Sequence, residues 1–172
     1  DESLIALGYT EHSFAHVGMV AANARYILEK LGYSARTVEL VQIAAYLHDI
    51  GNLVNRVEHS QTGAIMAFRL LDERGFSPEE IALVATAIGN HDEGTGVPVN
   101  DIAAALILAD KCDVRRSRVR SKDFSTFDIH DRVNYSVTRS NLKINDERTI
   151  VKLKLSIDTK YGSVMDYFEI FM

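Results

Sequence analysis

The sequence predicts a mainly α-helical protein, in which an α-helical bundle is followed by a C-terminal β-hairpin. Apolar residues recur every three or four positions through most of residues 13–117, as they do on the buried face of a helix. Between residues 151 and 157 they alternate with polar residues, as they do in a half-buried strand. With 172 residues, of which 47% are hydrophobic, the chain can bury a core of ordinary size.

Five helices are predicted in the first two thirds of the chain, and capping residues mark several of their ends. Gly32 stands where the C-terminal cap of the first helix belongs, and Ser34 is a suitable N-cap for the second. Ser77, followed by Pro78 and Glu80, has the pattern of a capping box with proline in the first turn. The predicted helices cover residues 13–31, 35–49, 60–74, 78–90 and 101–117.

The character of the sequence changes beyond residue 118. The alternating stretch 151–157 predicts one strand, residues 136–144 predict its partner, and Asn145 opens the turn between them. Short helices are predicted at 127–134 and from 163 onward. We therefore expect a helical domain over residues 1–118 and an extension over residues 119–172.

The predicted hairpin needs a surface to cover it, because an isolated two-stranded hairpin is only marginally stable in water. We expect it to pack on the helical domain or on the same hairpin of a second subunit. The second arrangement would make the protein a homo-oligomer.

Composition excludes several classes of protein. The formal net charge of −5 means that the surface as a whole is not basic, so nucleic acid is not an expected partner. There is no apolar run of the length that a membrane span needs, and no signal-peptide pattern. Cys112 is the single cysteine, so no intrachain disulfide can form. These features predict a cytoplasmic protein that does not associate with membranes.

The adjacent pair His48 and Asp49 ends the second predicted helix, and Gly51 follows it. His48 is in helical phase with Ala45 and Val41, so its side chain should point into the protein. Burying a histidine beside a carboxylate costs free energy unless both are satisfied. A bound metal ion or a hydrogen-bonded core pair would each satisfy them.

Other predicted helices also direct a histidine or an aspartate inward. A lone histidine on an apolar stripe is usually an ordinary core residue, but several such residues together indicate a shared cation. Imidazole and carboxylate ligands suit iron, manganese, zinc or cobalt better than calcium, and helical bundles build metal sites from facing helices. His12 lies on the same helical face as His16 and is the alternative to it. The inward residues are His16, His48, His59, His91 and Asp110.

The order His16, then His48-Asp49, then Asp110 resembles the H…HD…D signature of the HD-domain metal-dependent phosphohydrolase superfamily. The resemblance covers about residues 12–115. Within it, His59 with the following Gly63-Ala64, and the loop 91–98, resemble the multi-histidine HD-GYP branch.

This sequence departs from the HD-GYP branch at three positions. Asn52 stands where the branch has lysine, Asp92 stands where it has a second histidine, and Val97 replaces its tyrosine. Cleavage of cyclic dinucleotides is therefore not expected.

The resemblance implies a metal-dependent phosphohydrolase that acts on a phosphomonoester or phosphodiester, with a nucleotide as the expected substrate. It implies one or, by our preference, two divalent ions (Fe, Mn, Zn, Co or Mg) and a metal-activated bridging water, with His48 and Asp49 at the catalytic centre. With one metal only, His59 and His91 would contact substrate or simply end their helices. The implied ligands are His16, His48, Asp49 and Asp110 for the first ion, and Asp49, His59 and His91, with Asp92 as an additional candidate, for the second.

Basic residues follow Asp110 closely, and they are either phosphate contacts or the solvated end of a helix. We expect the small-molecule phosphorylated substrate to be contacted by Lys111, Arg115, Arg56 and Asn52.

Three other functions are open at this stage. The first is a mixed-valence di-iron oxygenase-like enzyme, which would need iron and redox activity. The second is a non-catalytic nucleotide-binding regulatory HD module. The third is an assembly protein that uses the hairpin as its interface, for which replacing Asp49 would have no metal-linked effect.

Overall fold

The structure is a computed structural model, and it describes residues 14–94, 96–121 and 123–171. In these ranges the chain forms seven α-helices and one antiparallel sheet of two strands, which confirms the predicted fold class. The elements are α1 (Phe14–Leu31), α2 (Ala35–Leu47), α3 (His59–Asp72), α4 (Pro78–Gly89), α5 (Asp101–Cys112), α6 (Ile129–Ser136), β1 (Val137–Ile144), β2 (Val151–Ile157) and α7 (Val164–Phe171).

The chain divides into two compact units. The first is Val17–Asp110, and the second consists of the residues from Lys111 onward together with the described residues before Val17. The predicted domain boundary at residue 118 stays a prediction.

The first unit buries the apolar stripe of each of its helices. The small residues and branched aliphatics of these stripes have almost no solvent exposure, as expected for helices that share one core. The fully buried members include Val20, Ala24, Val41, Ala44, Val84, Ile88, Ala103 and Leu106.

The helix starts follow the predicted caps. The Ser34 hydroxyl accepts a hydrogen bond from the backbone N–H of Thr37 at 3.1 Å. At the start of α4, the Ser77 hydroxyl accepts from the N–H of Glu80, and the Glu80 carboxylate accepts from the N–H of Ser77. This reciprocal pair confirms the predicted capping box.

The predicted C-terminal end of the fifth helix is wrong, because α5 ends at Cys112 and not at residue 117. The backbone groups beyond this point bind partners that are distant in sequence. The carbonyl of Cys112 accepts from the hydroxyl of Ser140 at 2.7 Å, and the N–H of Arg115 donates to the side chain of Asn134 at 3.3 Å. A short 3-10 turn, Arg116–Arg118, follows. Every other predicted bound agrees with the structure within two residues.

The second unit contains the hairpin. Strand β1 pairs with β2 along its length, and one register irregularity lies between Val137 and Arg139. One face of the hairpin packs on a small core to which α6 and α7 contribute. The buried residues of this core are Val114, Val133, Val137 and Tyr167, and Leu153, Leu155 and Ile157 of β2 pack against them.

None of the described helices combines the length and the apolar character that crossing a membrane requires.

Candidate metal centre

His48 and Asp49 lie in the connection between α2 and a short 3-10 turn, Ile50–Leu53. Both are buried, with 1% and 6% of their surfaces exposed. The turn packs directly on the start of α3, and glycine makes this possible. A Cβ on Gly51 would overlap the carbonyl oxygen of His59 and would lie 2.7 Å from the backbone nitrogen of Gly63. The close approach brings the start of α3, and with it His59, beside Asp49.

Three histidines are held in the same way. The Nδ1 atoms of His48, His59 and His91 lie 2.7, 3.0 and 2.7 Å from the carbonyl oxygen of the residue three positions earlier. A carbonyl only accepts hydrogen bonds, so each Nδ1 carries the proton and donates it. The lone pair of each neutral ring is therefore on Nε2, which is the arrangement of metal-binding histidines.

The Nε2 atoms converge in the first unit. Those of His59 and His91 are 3.3 Å apart, and the ring centroids of His48 and His91 are 4.8 Å apart. Two lone pairs at this distance repel each other unless a proton or a cation lies between them. Asp49 lies between two of the rings, with Oδ2 3.4 Å from His48 Nε2 and Oδ1 3.5 Å from His59 Nε2.

Among the described residues of this unit, two sets of three side chains could each hold a metal ion. His48, His91 and Asp110 form one set, and Asp49, His59 and His91 form the other, with the ligand atoms of each set within 4.8 Å of one another. Imidazole nitrogens with carboxylate oxygens fit a divalent transition metal. His91 belongs to both sets, whereas the sequence analysis assigned it to the second ion alone.

Two sequence-predicted carboxylates lie toward the edges of these sets. Asp110 is mostly buried, and its Oδ1 is 3.7 Å from His48 Nε2. Asp92 is more exposed, and its Oδ1 is 4.0 Å from His59 Nε2. The role of each residue as a ligand stays a prediction.

The cluster shifts the pKa values of its histidines in opposite directions. Burial opposes the charged form of His48, but Asp49 and Asp110 outweigh it and raise the pKa of His48 to about 9. Burial and the neighbouring His48 cation lower the pKa of His91 to about 4. Burial and the guanidinium of Arg56 lower the pKa of His59. Without a metal, His48 therefore holds the proton, and the other two rings are neutral and able to bind a cation.

Asn52 and Arg56 support the cluster from the loop after Asp49. The buried amide of Asn52 donates to Asp49 Oδ1 at 2.8 Å and to the Asp49 carbonyl at 3.1 Å. Arg56 Nη1 lies 3.3 Å from His59 Nε2 and 3.4 Å from the Asn52 side-chain oxygen. Asn52 therefore orients Asp49. Its predicted contact with substrate, like that of Arg56, stays a prediction.

His16 belongs to the other compact unit and is fully buried. Its Nδ1 donates to Asp113 Oδ2 at 2.8 Å, and this carboxylate also accepts from Arg115 Nε, through Oδ1, at 2.8 Å. Burial raises the pKa of Asp113, but the hydrogen bonds from His16 and Arg115 and the charge of Arg118 lower it overall. A carboxylate behind a histidine is typical of metal ligands, although the ligand role of His16 stays a prediction. His12 lies outside the described residues.

Asp113 was missed by the sequence analysis. The available signal was its spacing, since Asp113 follows Asp110 by three residues and a single helical turn would place both on one face.

Two residues that were predicted to contact substrate, Arg115 and Lys111, contact other side chains of the second unit. Arg115 binds Asp113 and donates to the hydroxyl of Ser117 at 2.7 Å. Lys111 Nζ lies 5.5 Å from the ring centre of Phe171. Their contact with substrate stays a prediction.

A sequence model of the HD domain family matches residues 13–115, which is more than half of the chain. The chain belongs to the HD-domain family. The match includes all the histidines and aspartates of the candidate centre and excludes the hairpin. The superfamily resemblance is thereby confirmed, and the assignment to the HD-GYP branch stays a prediction.

This HD-domain protein is similar to a curated archaeal protein and to a solved bacterial structure. Uncharacterized protein MJ1020 of Methanocaldococcus jannaschii is 30% identical over 167 residues, which cover 84% of this chain and 64% of that protein. The crystal structure of a predicted HD superfamily hydrolase from an uncultured Thermotogales bacterium is 30% identical, with a TM-score of 0.52 over 60% of this chain and 57% of that chain. The chain thus spans less than two thirds of the length of either relative.

Proposed function

We propose that this HD-domain protein is a metal-dependent phosphohydrolase whose substrate is a nucleotide phosphomonoester or phosphodiester. The observation that carries the proposal is the position of Asp49, with one oxygen toward His48 and the other toward His59. A carboxylate placed in this way suits a pair of ions, and ion pairs promote in-line displacement at phosphorus. The description of the solved relative as a predicted HD superfamily hydrolase supports the reaction class.

Divalent ions at such a centre polarise a phosphoryl oxygen and make a water molecule a better nucleophile. The protein's own contribution is to fix the orientation of the side chains that would bind the ions. The three backbone carbonyls fix the Nε2 atoms of His48, His59 and His91, and Asn52 fixes the carboxylate of Asp49. Little reorganisation of these side chains is then needed when the ions and the substrate bind.

Arg56 is the proposed phosphate contact of this centre. Its guanidinium touches the His59 ring and the Asn52 side chain. The HD-GYP branch has lysine at position 52, and here a neutral amide in that position stabilises Asp49. A cation four residues later can replace the missing lysine, and its fork of donors matches phosphate oxygens.

The test combines metal analysis with an activity screen. Purified protein should contain about one or two equivalents of a divalent transition metal, and with Mn²⁺, Fe²⁺ or Mg²⁺ it should hydrolyse at least one member of a nucleotide and phosphodiester panel. His48→Ala and Asp49→Ala should each lose metal and activity, because each removes a ligand. Asp72→Ala, an exposed aspartate on α3, is the matched control and should keep both.

Two results would contradict the proposal. Full metal content in either ligand variant would show that the metal is not bound at the assigned residues. Bound metal with no hydrolysis of any panel member would reject the phosphohydrolase, and spectroscopy of anaerobically prepared protein would then distinguish a redox-active di-iron centre from a regulatory module.

A further inference from the structure

The outer face of the hairpin is rich in positive charge. We define the basic face as the side chains that alternate positions of β1 and β2 direct away from the small core. The register pairs Arg139 with Ser156, Asn141 with Lys154, and Lys143 with Lys152. The irregularity before Arg139 reverses the alternation, so that Val137 is buried and Arg139 is exposed. The basic face therefore consists of Arg139, Asn141, Lys143, Lys152, Lys154 and Ser156.

The cations of this face lack ionic partners among the described residues. Arg139, Lys143, Lys152 and Lys154 are all exposed, and none of them forms an ion pair in the part of the chain that the structure describes. Lys143 and Lys152 are directly opposite each other, which destabilises an antiparallel pair of strands. An anion bound between the strands would relieve this repulsion.

The basic face is also concave. The six residues line a pocket of about 390 Å³, and no acidic, aliphatic or aromatic residue contributes to its lining. Exposed lysines on a hairpin can serve simply to prevent edge pairing, but that role requires no pocket. A pocket lined only by cations, an amide and a hydroxyl offers no apolar surface to an acyl chain and no aromatic ring on which a base could stack. It suits phosphates, which are bound by these same side-chain types.

The arrangement of the cations favours an elongated ligand. The three cross-strand pairs follow one another at intervals of about 7 Å, and each contains at least one cation. A linear chain with regularly repeated charges can contact all three pairs, whereas a flat membrane surface cannot enter a concave pocket. We propose that the basic face binds the phosphate backbone of a single-stranded nucleic acid.

This proposal is compatible with the net charge of −5. That value describes the whole surface, and our expectation that nucleic acid is not a partner rested on it. The basic face contains four cations and no acid. Because the face has no aromatic platform for bases, binding should be independent of sequence and strongly dependent on salt.

The experiment measures the fluorescence anisotropy of labelled oligothymidylate and oligouridylate with the full chain, in EDTA, at a series of KCl concentrations. EDTA separates this test from the metal centre, since hydrolysis and binding can then fail independently. Contacts to three or four phosphates predict a slope of log K against log[salt] of about −2 to −3.

Lys152→Gln/Lys154→Gln should weaken binding at low salt roughly tenfold or more and should reduce the magnitude of the slope by about 1.4. Both lysines are exposed, so the fold should be retained, and circular dichroism would verify this. Arg69→Gln/Arg132→Gln is the matched control, because it removes two exposed cations that lie on helices and have no described ion pair. It should bind like the unmodified chain.

Three outcomes would overturn the proposal. The first is the absence of salt-dependent binding to either oligonucleotide. The second is an equal loss of affinity in the control, which would indicate attraction to total charge alone. The third is binding of tripolyphosphate or of phosphatidylserine vesicles that depends on the same two lysines while oligonucleotides fail to compete.

Discussion

At the scale of single residues, the carboxylate of Asp49 depends on Asn52. The Asn52 amide is completely buried and donates to Asp49 Oδ1 at 2.8 Å. Residues that orient a ligand in this way influence metal binding without touching the metal. The site therefore extends beyond the histidines and aspartates that carry the family motif.

Asn52→Ala should weaken metal binding by roughly 10- to 100-fold, because Asp49 would lose the donor that orients it. The measurement is competition for Mn²⁺ against a chelator of known affinity. Val57→Ala, in the exposed part of the same loop, is the control and should leave the affinity unchanged. Equal affinity for metal in Asn52→Ala and the unmodified chain would contradict a supporting role for Asn52.

The histidine pKa values predict how stability depends on pH in metal-free protein. The pKa of His48 is raised to about 9, so folded protein keeps a proton that the unfolded chain releases near pH 6.5. The free energy of unfolding should therefore fall as pH rises from about 6.5 to about 9, by at most about 1.4 kcal/mol per pH unit. Below pH 6.5 the direction reverses, because the pKa of His91 is lowered to about 4 and the unfolded chain binds the extra proton.

Urea unfolding in chelator across this pH range would measure the effect. His48→Gln is the control, and it should remove the fall above pH 6.5. An unchanged fall in that variant would show that other groups cause it.

At the scale of elements, the contact between the 3-10 turn and α3 depends on Gly51. The turn carries Asp49 at its start, and α3 begins with His59. A side chain on Gly51 would push these two elements apart. Gly51 thus has a packing role inside the turn, whereas α2 already ends at Leu47.

Gly51→Ala should lower the free energy of unfolding by about 1–3 kcal/mol, because the new methyl group overlaps the His59 carbonyl. It should also reduce metal binding, since Asp49 and His59 would separate. Gly18→Ala is the matched control. Gly18 lies inside α1 with no atom within 4 Å of the added Cβ, so this change should stabilise the protein by roughly 0.5–1 kcal/mol. Thermal unfolding compares the two, and a neutral Gly51→Ala would refute the packing role.

The sequence predicts elements well where their signals are local. Ser34 and Ser77 mark helix starts because they bond to backbone groups only three residues away. The end of α5 was missed because the Cys112 carbonyl accepts its hydrogen bond from the hydroxyl of Ser140, which lies far along the chain. The same limit applied to Asp113, whose importance lies in a hydrogen bond to His16, 97 residues earlier.

The candidate site could be predicted only in part. Helical phase was enough to direct His48, His59 and His91 inward, and the structure brings their Nε2 atoms into one cluster. Helical phase does not determine how the helices are arranged relative to one another. The sharing of His91 between two ligand sets is therefore visible only in the structure.

At the scale of the whole molecule, metal binding and folding should be linked. The candidate centre buries several polar side chains that a cation would satisfy together, and an unfolded chain does not present them as one site. A ligand that binds only the folded state stabilises it in proportion to the logarithm of its concentration. Adding metal to chelator-treated protein should therefore raise the melting temperature.

At a free metal concentration about 100 times the dissociation constant, the stabilisation should be about 2.7 kcal/mol. For a chain of this size, that corresponds to a rise in Tm of roughly 5–10 °C. The measurement is a thermal scan with Mn²⁺, Fe²⁺, Co²⁺, Zn²⁺ and Mg²⁺ in turn. Asp49→Asn should lose the rise because it removes the charge that faces two imidazoles, and the exposed Asp72→Asn should keep it. If no metal shifts the melting temperature of the unmodified chain, the buried cluster is a hydrogen-bonded core and not a metal centre.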